Sequence, residues 1–486
     1  MPEDTLTELS EAIRAEALIN LSRKALNDQN LRTAIENLEK RDRLYGIDAE
    51  SLHMQGQIQF KLGRIDEAIQ LIERSLALDP GKANFLHSYA TVMSAEGRFV
   101  EAQRILVKLI AEDPTRTGAF STLASIRKFE PGDDVLWTME QNVIGRPLST
   151  SKAAYLCFGL AKAYDDLGEY DSAWQAVIQG NNLIDMEDPT EYFAKGVERS
   201  KAVYTKQFID QRSKMGHKTR APIFVVGLPR SGTTLTEKIL SEHADISATG
   251  ELVALGQIAS MMANDLGTQS IAGHADTMTK AAPEQVYAAA RGYLDFANKS
   301  ITNWSERFVD KMPDNSFNLG LAACLFPNAH MVHVMRHPLD TMLSIYFRRF
   351  GQLRYAFDVD HLVAHYQAYQ DVMAHWREVL PEGQLIEIRY ENLVGDKDRA
   401  RDIMLNQIIP SAEHYRAIQD DTQADSKVMT ASRWQVRQPV YRTSISKWRN
   451  YEVEMAGFIE ALGGMDRVNA DIEAQEAHCI LRATPS

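Results

Sequence analysis

Cysteine is scarce in this chain: three residues (Cys157, Cys324, Cys479) in 486, far apart and without paired spacing. Such a set gives neither a disulfide framework nor a cysteine-based zinc site, and it fits a reducing compartment. Long apolar runs are missing as well; nothing reaches the roughly 18 residues that a membrane-spanning helix needs. The opening Met1-Pro2-Glu3-Asp4 is acidic and lacks the apolar stretch of a secretory leader, so a cytoplasmic location is expected. Basic residues are also in deficit. Lys and Arg total 53 against 66 Asp and Glu, a net charge of −13. That balance argues against general nucleic-acid binding, which wants a basic footprint. Any anionic ligand must then be held by a local cationic cluster working against the overall field.

What is present, first, is a repeat. A chain of 486 residues predicts two or three domains. Gly63 and Gly97, Ala68 and Ala102, and Asp79-Pro80 and Asp113-Pro114 are each 34 residues apart, and Ala34 lies one period upstream of Ala68. Small residues (Gly56 and Ala90 on first helices, Ala68 and Ala102 on second helices) let antiparallel helices approach closely. The period and the small positions resemble the tetratricopeptide repeat. A later unit, Ala161 to Ala173 with Leu167-Gly168 between, keeps the same internal spacing, while residues 115–150 are degenerate and broken at Glu130-Pro131-Gly132-Asp133. Repeats of this kind stack on one another. Their concave face also offers a groove for a protein partner or for self-association. The pattern fades after Pro189, and residues 191–220 read as a linker helix. The expected organisation is a helical repeat domain over 1–190, that linker, and a second domain over 221–486.

The second domain begins with another absence. Ile223-Phe224-Val225-Val226 reads as a buried strand, Gly227-Leu228-Pro229-Arg230-Ser231-Gly232 as a tight loop, and Leu235 to Leu240 as a helix. Strand, glycine loop and helix N-terminus bind phosphate, because free backbone N–H groups and the positive helix end point at one anion. The glycine spacing is that of a P-loop, but Thr233-Thr234 stand where that motif requires Lys and then Ser or Thr. A magnesium nucleoside triphosphate is therefore a poor fit.

Further apolar runs alternate with helical stretches. Arg307 to Asp310 ends at Lys311, His330 to Met335 ends at Arg336, and Gln384 to Arg389 ends at Tyr390; helices are expected over Glu284–Ser300, opened by Pro283, and Val359–Val379. Such alternation predicts an α/β domain with a central parallel sheet. Ligands of such sheets sit beyond the carboxyl ends of the strands, so Lys311, Arg336 and Tyr390 should share the edge that carries the glycine loop. Ser344 follows Arg336 by eight residues on an opening helix, and Arg348 is expected one turn further on the same face. Arg349 should point away into solvent.

Two motifs together, Pro229-Arg230-Ser231-Gly232-Thr233-Thr234-Leu235 and Arg336 with Ser344, resemble the 5′-phosphosulfate loop and the 3′-phosphate motif of sulfotransferases that use 3′-phosphoadenosine-5′-phosphosulfate (PAPS). Within that family the likeness is greatest to tyrosylprotein sulfotransferases and to bacterial proteins that join repeats to such a domain, and it covers about residues 221–450. It implies an α/β P-loop-like fold after the helical repeat solenoid. PAPS would be the co-substrate, 3′-phosphoadenosine-5′-phosphate the product, and no metal would take part. The resemblance makes Arg230, Ser231, Gly232, Thr233 and Thr234 the cradle for the phosphosulfate, and Arg336, Ser344 and Arg348 that for the 3′-phosphate. Tyr390 and the late segment with Ser432 and with Ser446-Lys447-Trp448 would complete the nucleotide site. Glu251, 21 residues after Arg230, matches the family's catalytic carboxylate, and Lys311 its lysine near the phosphosulfate bridge. On residue type alone Glu251 better suits an N-cap partner or helix first turn, and a histidine base (His243 foremost, with His330, His333 and His337 nearby) stays open as the runner-up. The implied acceptor is a hydroxyl group on a protein, peptide or small compound, a tyrosine being one choice. A Walker-lysine-less P-loop kinase and a non-catalytic repeat scaffold are the competing readings.

Overall fold

The computed structural model describes residues 11–27, 31–145, 147–265, 273–300, 305–351, 353–409 and 443–481. The chain forms two compact units, one running to Leu148 and the other beginning at Ser149. The first consists of antiparallel helix pairs: α1 (Glu11–Asn27) with α2 (Leu31–Tyr45), α3 (Ala49–Lys61) with α4 (Ile65–Leu78), and α5 (Ala83–Glu96) with α6 (Phe99–Glu112), followed by α7 (Thr117–Ala124) and α8 (Asp134–Gly145). The periodic small residues sit at the crossings. Ala34, Ala68, Ala90 and Ala102 are wholly buried, and a Cβ on Gly56 would lie 2.6 Å from Cγ1 of Ile72. The Asp-Pro pairs fall just beyond α4 and α6, where proline's missing N–H no longer matters.

The second unit opens with a helical hairpin, α9 (Thr150–Leu167) and α10 (Tyr170–Asn182), turned by Gly168 in the left-handed region (φ 77°). This is the later repeat-like unit of the sequence. The expected boundary at residue 190 thus falls inside the second unit. The expected linker helix is instead α11 (Thr190–Val203), α12 (Lys206–Arg212) and a 3-10 turn, Ser213–Met215. These are fastened down: Lys201 pairs with Asp371 at 2.6 Å, and Arg212 donates to the carbonyls of Ala281 and Thr279 at 2.6 and 2.8 Å.

Five parallel strands are found among the described residues: β1 (Pro222–Gly227), β2 (Ile246–Ala248), β3 (Arg307–Lys311), β4 (His330–Met335) and β5 (Leu385–Arg389), in the order β2-β3-β1-β4-β5. β1 is buried along its whole length, as its apolar run requires. Alternate residues face opposite layers. Ile223, Val225, Val332 and Ile386 pack with Ile239 of α13 (Thr233–Leu240) and Met404 of α21 (Lys397–Ile408). On the other face, Phe224 meets Tyr293 of α16 (Pro283–Ser300), and His333 bonds Tyr369 of α19 (Val359–Val379). Between these lie α14 (Ala254–Asp265), α15 (Gly273–Lys280), α17 (Leu319–Leu325), α18 (Pro338–Tyr346) and α20 (Tyr390–Gly395); α22 (Ala456–Ala461) and α23 (Met465–His478) close the described chain. The strands and helices expected within the sheet domain all occur. β2, three residues long, was not foreseen, since so short a segment carries no periodic signal.

Candidate active site

The loop between β1 and α13 lies at the carboxyl edge of the sheet, with Gly232 as the residue preceding the helix (φ 108°). A Cβ there would come 2.7 Å from Cδ2 of Tyr390, so only glycine fits under that ring. Arg230 also adopts a left-handed backbone (φ 71°), a conformation costing a non-glycine residue about 1–2 kcal/mol. Such strain persists where surrounding contacts over-determine it, and here they do. The Arg230 Nε donates to the Ser344 hydroxyl at 2.9 Å, and the Arg230 carbonyl accepts from Arg336 at 2.8 Å.

Arg336 follows β4 directly and Ser344 lies within α18, so strand end and helix carry the two residues to the loop. The second terminal nitrogen of Arg336 donates to the Ser444 carbonyl at 2.7 Å, and its guanidinium lies 4.8 Å from the centroid of the Tyr390 ring. The arginine therefore ties three segments together: the glycine loop, the end of β5 and the stretch after residue 442. Two buried donors at this edge, the Ser231 hydroxyl and the Arg336 Nε, have no hydrogen-bond partner among the described residues. An anion at the N-terminus of α13 would satisfy groups of that kind.

A carboxylate and an ammonium face each other on the β3 side. Lys311, wholly buried as the last residue of β3, bonds Glu251 Oε1 at 2.7 Å, while Glu251 remains 44% exposed. The turn carrying Glu251 is held from two directions. The Thr249 N–H and hydroxyl both donate to the Val309 carbonyl (3.1 and 2.7 Å), and the Lys311 N–H donates to the Gly250 carbonyl at 3.0 Å. From α13, Glu237 accepts the Gly250 N–H at 2.7 Å. Gly250 is left-handed (φ 70°), which lets the chain reverse at this point. Burial pushes the Glu237 carboxyl up, against the pull of Lys311. Burial likewise raises Asp310, beside Lys311 on β3, to about 7. Neither Glu237 nor Asp310 carries any signature in the sequence; only the folded packing brings Glu237 to the Gly250 turn and turns Asp310 to Tyr293 on the other face of the sheet.

Other expected residues are placed differently. Arg348 does not share a helical face with Ser344, because α18 ends at Tyr346 and the chain has left the helix. Arg349 is not solvated: its guanidinium stacks 3.9 Å from the Tyr155 ring of α9. The Lys447 ammonium pairs with Asp165 of α9. Ser432 lies outside the described residues. Of the histidines, His243 and His330 stand at the amino ends of β2 and β4, the edge opposite the glycine loop. His333 is buried between Glu387 and Tyr369, and His337, lowered to about 4 by burial, stacks on Trp448 at 5.5 Å.

Comparison with known proteins agrees with this architecture. Residues 222–405 match the model of the sulfotransferase family, and residues 59–126 that of the tetratricopeptide repeat. An uncharacterized protein of Aquifex aeolicus is 31% identical over 327 residues, which cover 63% of this chain and 41% of the relative, so the chain spans less than half of that protein's length. Among solved structures, the sulfotransferase domain from the curacin biosynthetic pathway is 15% identical (TM-score 0.36; 53% of this chain, 99% of that one). A sulfotransferase of Mycobacterium avium is 12% identical (TM-score 0.28; 69% and 98%). The chain thus carries tetratricopeptide repeats followed by a sulfotransferase-family domain built on a central parallel sheet.

Proposed function

We propose that this protein transfers a sulfuryl group from PAPS to a hydroxyl acceptor. One observation carries the reading: the glycine loop and the arginine–serine pair, more than 100 residues apart in sequence, are bonded to each other at one sheet edge through Arg230, Ser344 and Arg336. A nucleotide with an anion at each end needs two cationic cradles side by side; in this reading the loop forms one and the arginine–serine pair the other. In this reading, Ser231, Gly232, Thr233 and Thr234 offer backbone and hydroxyl donors to the 5′ end, without a Walker lysine. Arg336, Ser344 and Arg348 receive the 3′-phosphate, and the Tyr390 ring, already under the Arg336 guanidinium, borders the nucleotide.

When bound, PAPS supplies an activated sulfuryl group on a phosphate leaving group. The protein's own contribution is position and charge. Glu251, half in solvent on a braced turn, accepts the proton of the acceptor hydroxyl, a step worth about 10²–10⁴ in rate. Lys311, buried and facing it, meets the negative charge that develops on the leaving oxygen, together with Arg230. Tyrosine peptides are the first acceptors to examine.

The test is a pair of measurements on the full chain. 3′-Phosphoadenosine-5′-phosphate should raise the melting temperature by mass action, whereas Mg-ATP should not. Incubation with PAPS and a panel of tyrosine peptides and small phenols should add sulfate, read by mass spectrometry. Indifference to the nucleotide would remove this reading.

A further inference from the structure

The hairpin α9/α10 has the spacing of a repeat, yet it packs within the second unit and reaches the chain segment that Arg336 holds. Arg336 donates to the Ser444 carbonyl at 2.7 Å. Two residues on, the Ser446 and Trp448 N–H groups both donate to Asp340 of α18, at 2.8 and 2.9 Å, and Trp448 stacks on His337. The chain then makes a 3-10 turn, Lys447–Tyr451, of which Lys447, Asn450 and Tyr451 meet the hairpin. The two oxygens of Asp165 divide this turn between them: Oδ2 pairs with the Lys447 ammonium, and Oδ1 accepts from the Tyr451 hydroxyl at 2.7 Å. Asn450 donates to the Tyr170 hydroxyl at 3.0 Å. Trp174 packs on Tyr451 and on Tyr346 and Phe347 at the end of α18, with ring centroids 6.0, 5.6 and 5.9 Å away. Asp165 is nearly buried (8% exposed side chain), so its charge is spent on these two partners rather than on solvent.

We propose that Asp165 is a positioning residue for nucleotide binding, holding the Lys447–Tyr451 turn so that the residues just before it stay on Arg336. This deepens the proposed function and rests on it. The repeat-like hairpin is then a wall of the nucleotide site. An ammonium has three donors, so Lys447 can keep Asp165 and still offer hydrogen bonds to a phosphate. Losing the carboxylate frees the turn, the Ser444 carbonyl drifts from Arg336, and the arginine that braces the glycine loop loses one of its two anchors.

The experiment uses the full chain with D165N and, as a milder second variant, Y451F, which deletes one hydrogen bond but keeps the ring packed on Trp174. Binding of 3′-phosphoadenosine-5′-phosphate should weaken on the order of tenfold in D165N and less, in the same direction, in Y451F, since a hydrogen bond to a charged group is at stake. With PAPS as donor, its KM should rise by the same factor while kcat and the acceptor KM stay within about twofold; a purely structural residue would lower the melting temperature without that split. Hydrogen exchange of residues 443–455 should quicken in D165N while β1 and α13 stay protected. Unchanged or tighter nucleotide binding in D165N, against a wild type that responds, would overturn this inference alone. A wild-type chain that does not respond would overturn the nucleotide reading and this inference with it.

Discussion

The side chain of Arg230 donates to the Ser344 hydroxyl at 2.9 Å although 114 residues of chain lie between them. The bond couples a loop residue in a strained backbone conformation to a helix on the far side of β4. Because Arg336 grips the carbonyl of the same residue, the loop cannot relax without breaking contacts to two other segments. Preorganisation of this kind lets an anion bind without the loop first having to be ordered.

Replacing Arg336 with Ala should therefore do more than remove a charge. It deletes the bonds to the Arg230 and Ser444 carbonyls and the contact with Tyr390. At about 1.5–3 kcal/mol for a charged hydrogen bond, affinity for 3′-phosphoadenosine-5′-phosphate should fall by roughly tenfold or more in a calorimetric titration. Arg336→Lys should recover little, since an ammonium cannot make the fork. Wild-type affinity in either variant would count against the assignment.

Glu251→Gln separates binding from chemistry. Nucleotide affinity should be retained, while single-turnover transfer from PAPS drops about 10²–10⁴-fold. The buried Lys311 loses its charged partner, but Glu251 is 44% exposed, so the stability cost should be on the order of 1 kcal/mol. Transfer within about tenfold of wild type would take the proton-accepting role away from Glu251.

How far the site was legible follows from how each residue is delivered. Lys311, Arg336 and Tyr390 each stand at the end of an apolar run, and a parallel sheet brings strand ends to one edge, so their convergence was readable before any coordinates. Glu251 was readable only by its likeness to a family. Nothing in the sequence marks β2, the turn at Gly250, or Glu237 beneath it. The helical face expected to join Arg348 to Ser344 was misjudged because the end of α18 at Tyr346 has no stop signal of the Gly or Pro kind. The stacking of Arg349 and the ion pair of Lys447 were missed for a common reason. Their partners, Tyr155 and Asp165, lie on α9, and the repeat spacing of that hairpin gave no hint that it packs in the second unit.

A pH signature should come from Asp310. Burial raises its carboxyl from the ordinary 3.8 to about 7, against bonds from Tyr293 at 2.7 Å and its neighbour Lys311. The folded chain then keeps a proton that the unfolded chain releases near pH 4. Stability supplied by this group is complete below that point and declines as pH rises towards about 7, by a few kcal/mol at most, then levels off. Asp310→Asn, which keeps an oxygen for Tyr293, should flatten denaturant midpoints across that window. An unaltered slope would show that Asp310 is ionised throughout.

Gly232→Ala should harm the loop twice over. The backbone is left-handed and the added methyl would sit 2.7 Å from the Tyr390 ring carbon. The strain alone is about 1–2 kcal/mol, and moving Tyr390 also disturbs Arg336. The melting temperature should fall by several degrees and the nucleotide-induced rise should vanish. A variant that melts lower yet keeps the full rise would mean that Tyr390 moves aside without consequence for the ligand.

Trp174 has a practical corollary. Its ring is sandwiched among Tyr346, Phe347, Tyr451 and Phe458, so a truncated protein begun at residue 191, where the repeat signal ends, would expose that aromatic nest to water and invite precipitation. Shortened versions meant to stay soluble should start ahead of Ser149 and carry both arms of the hairpin.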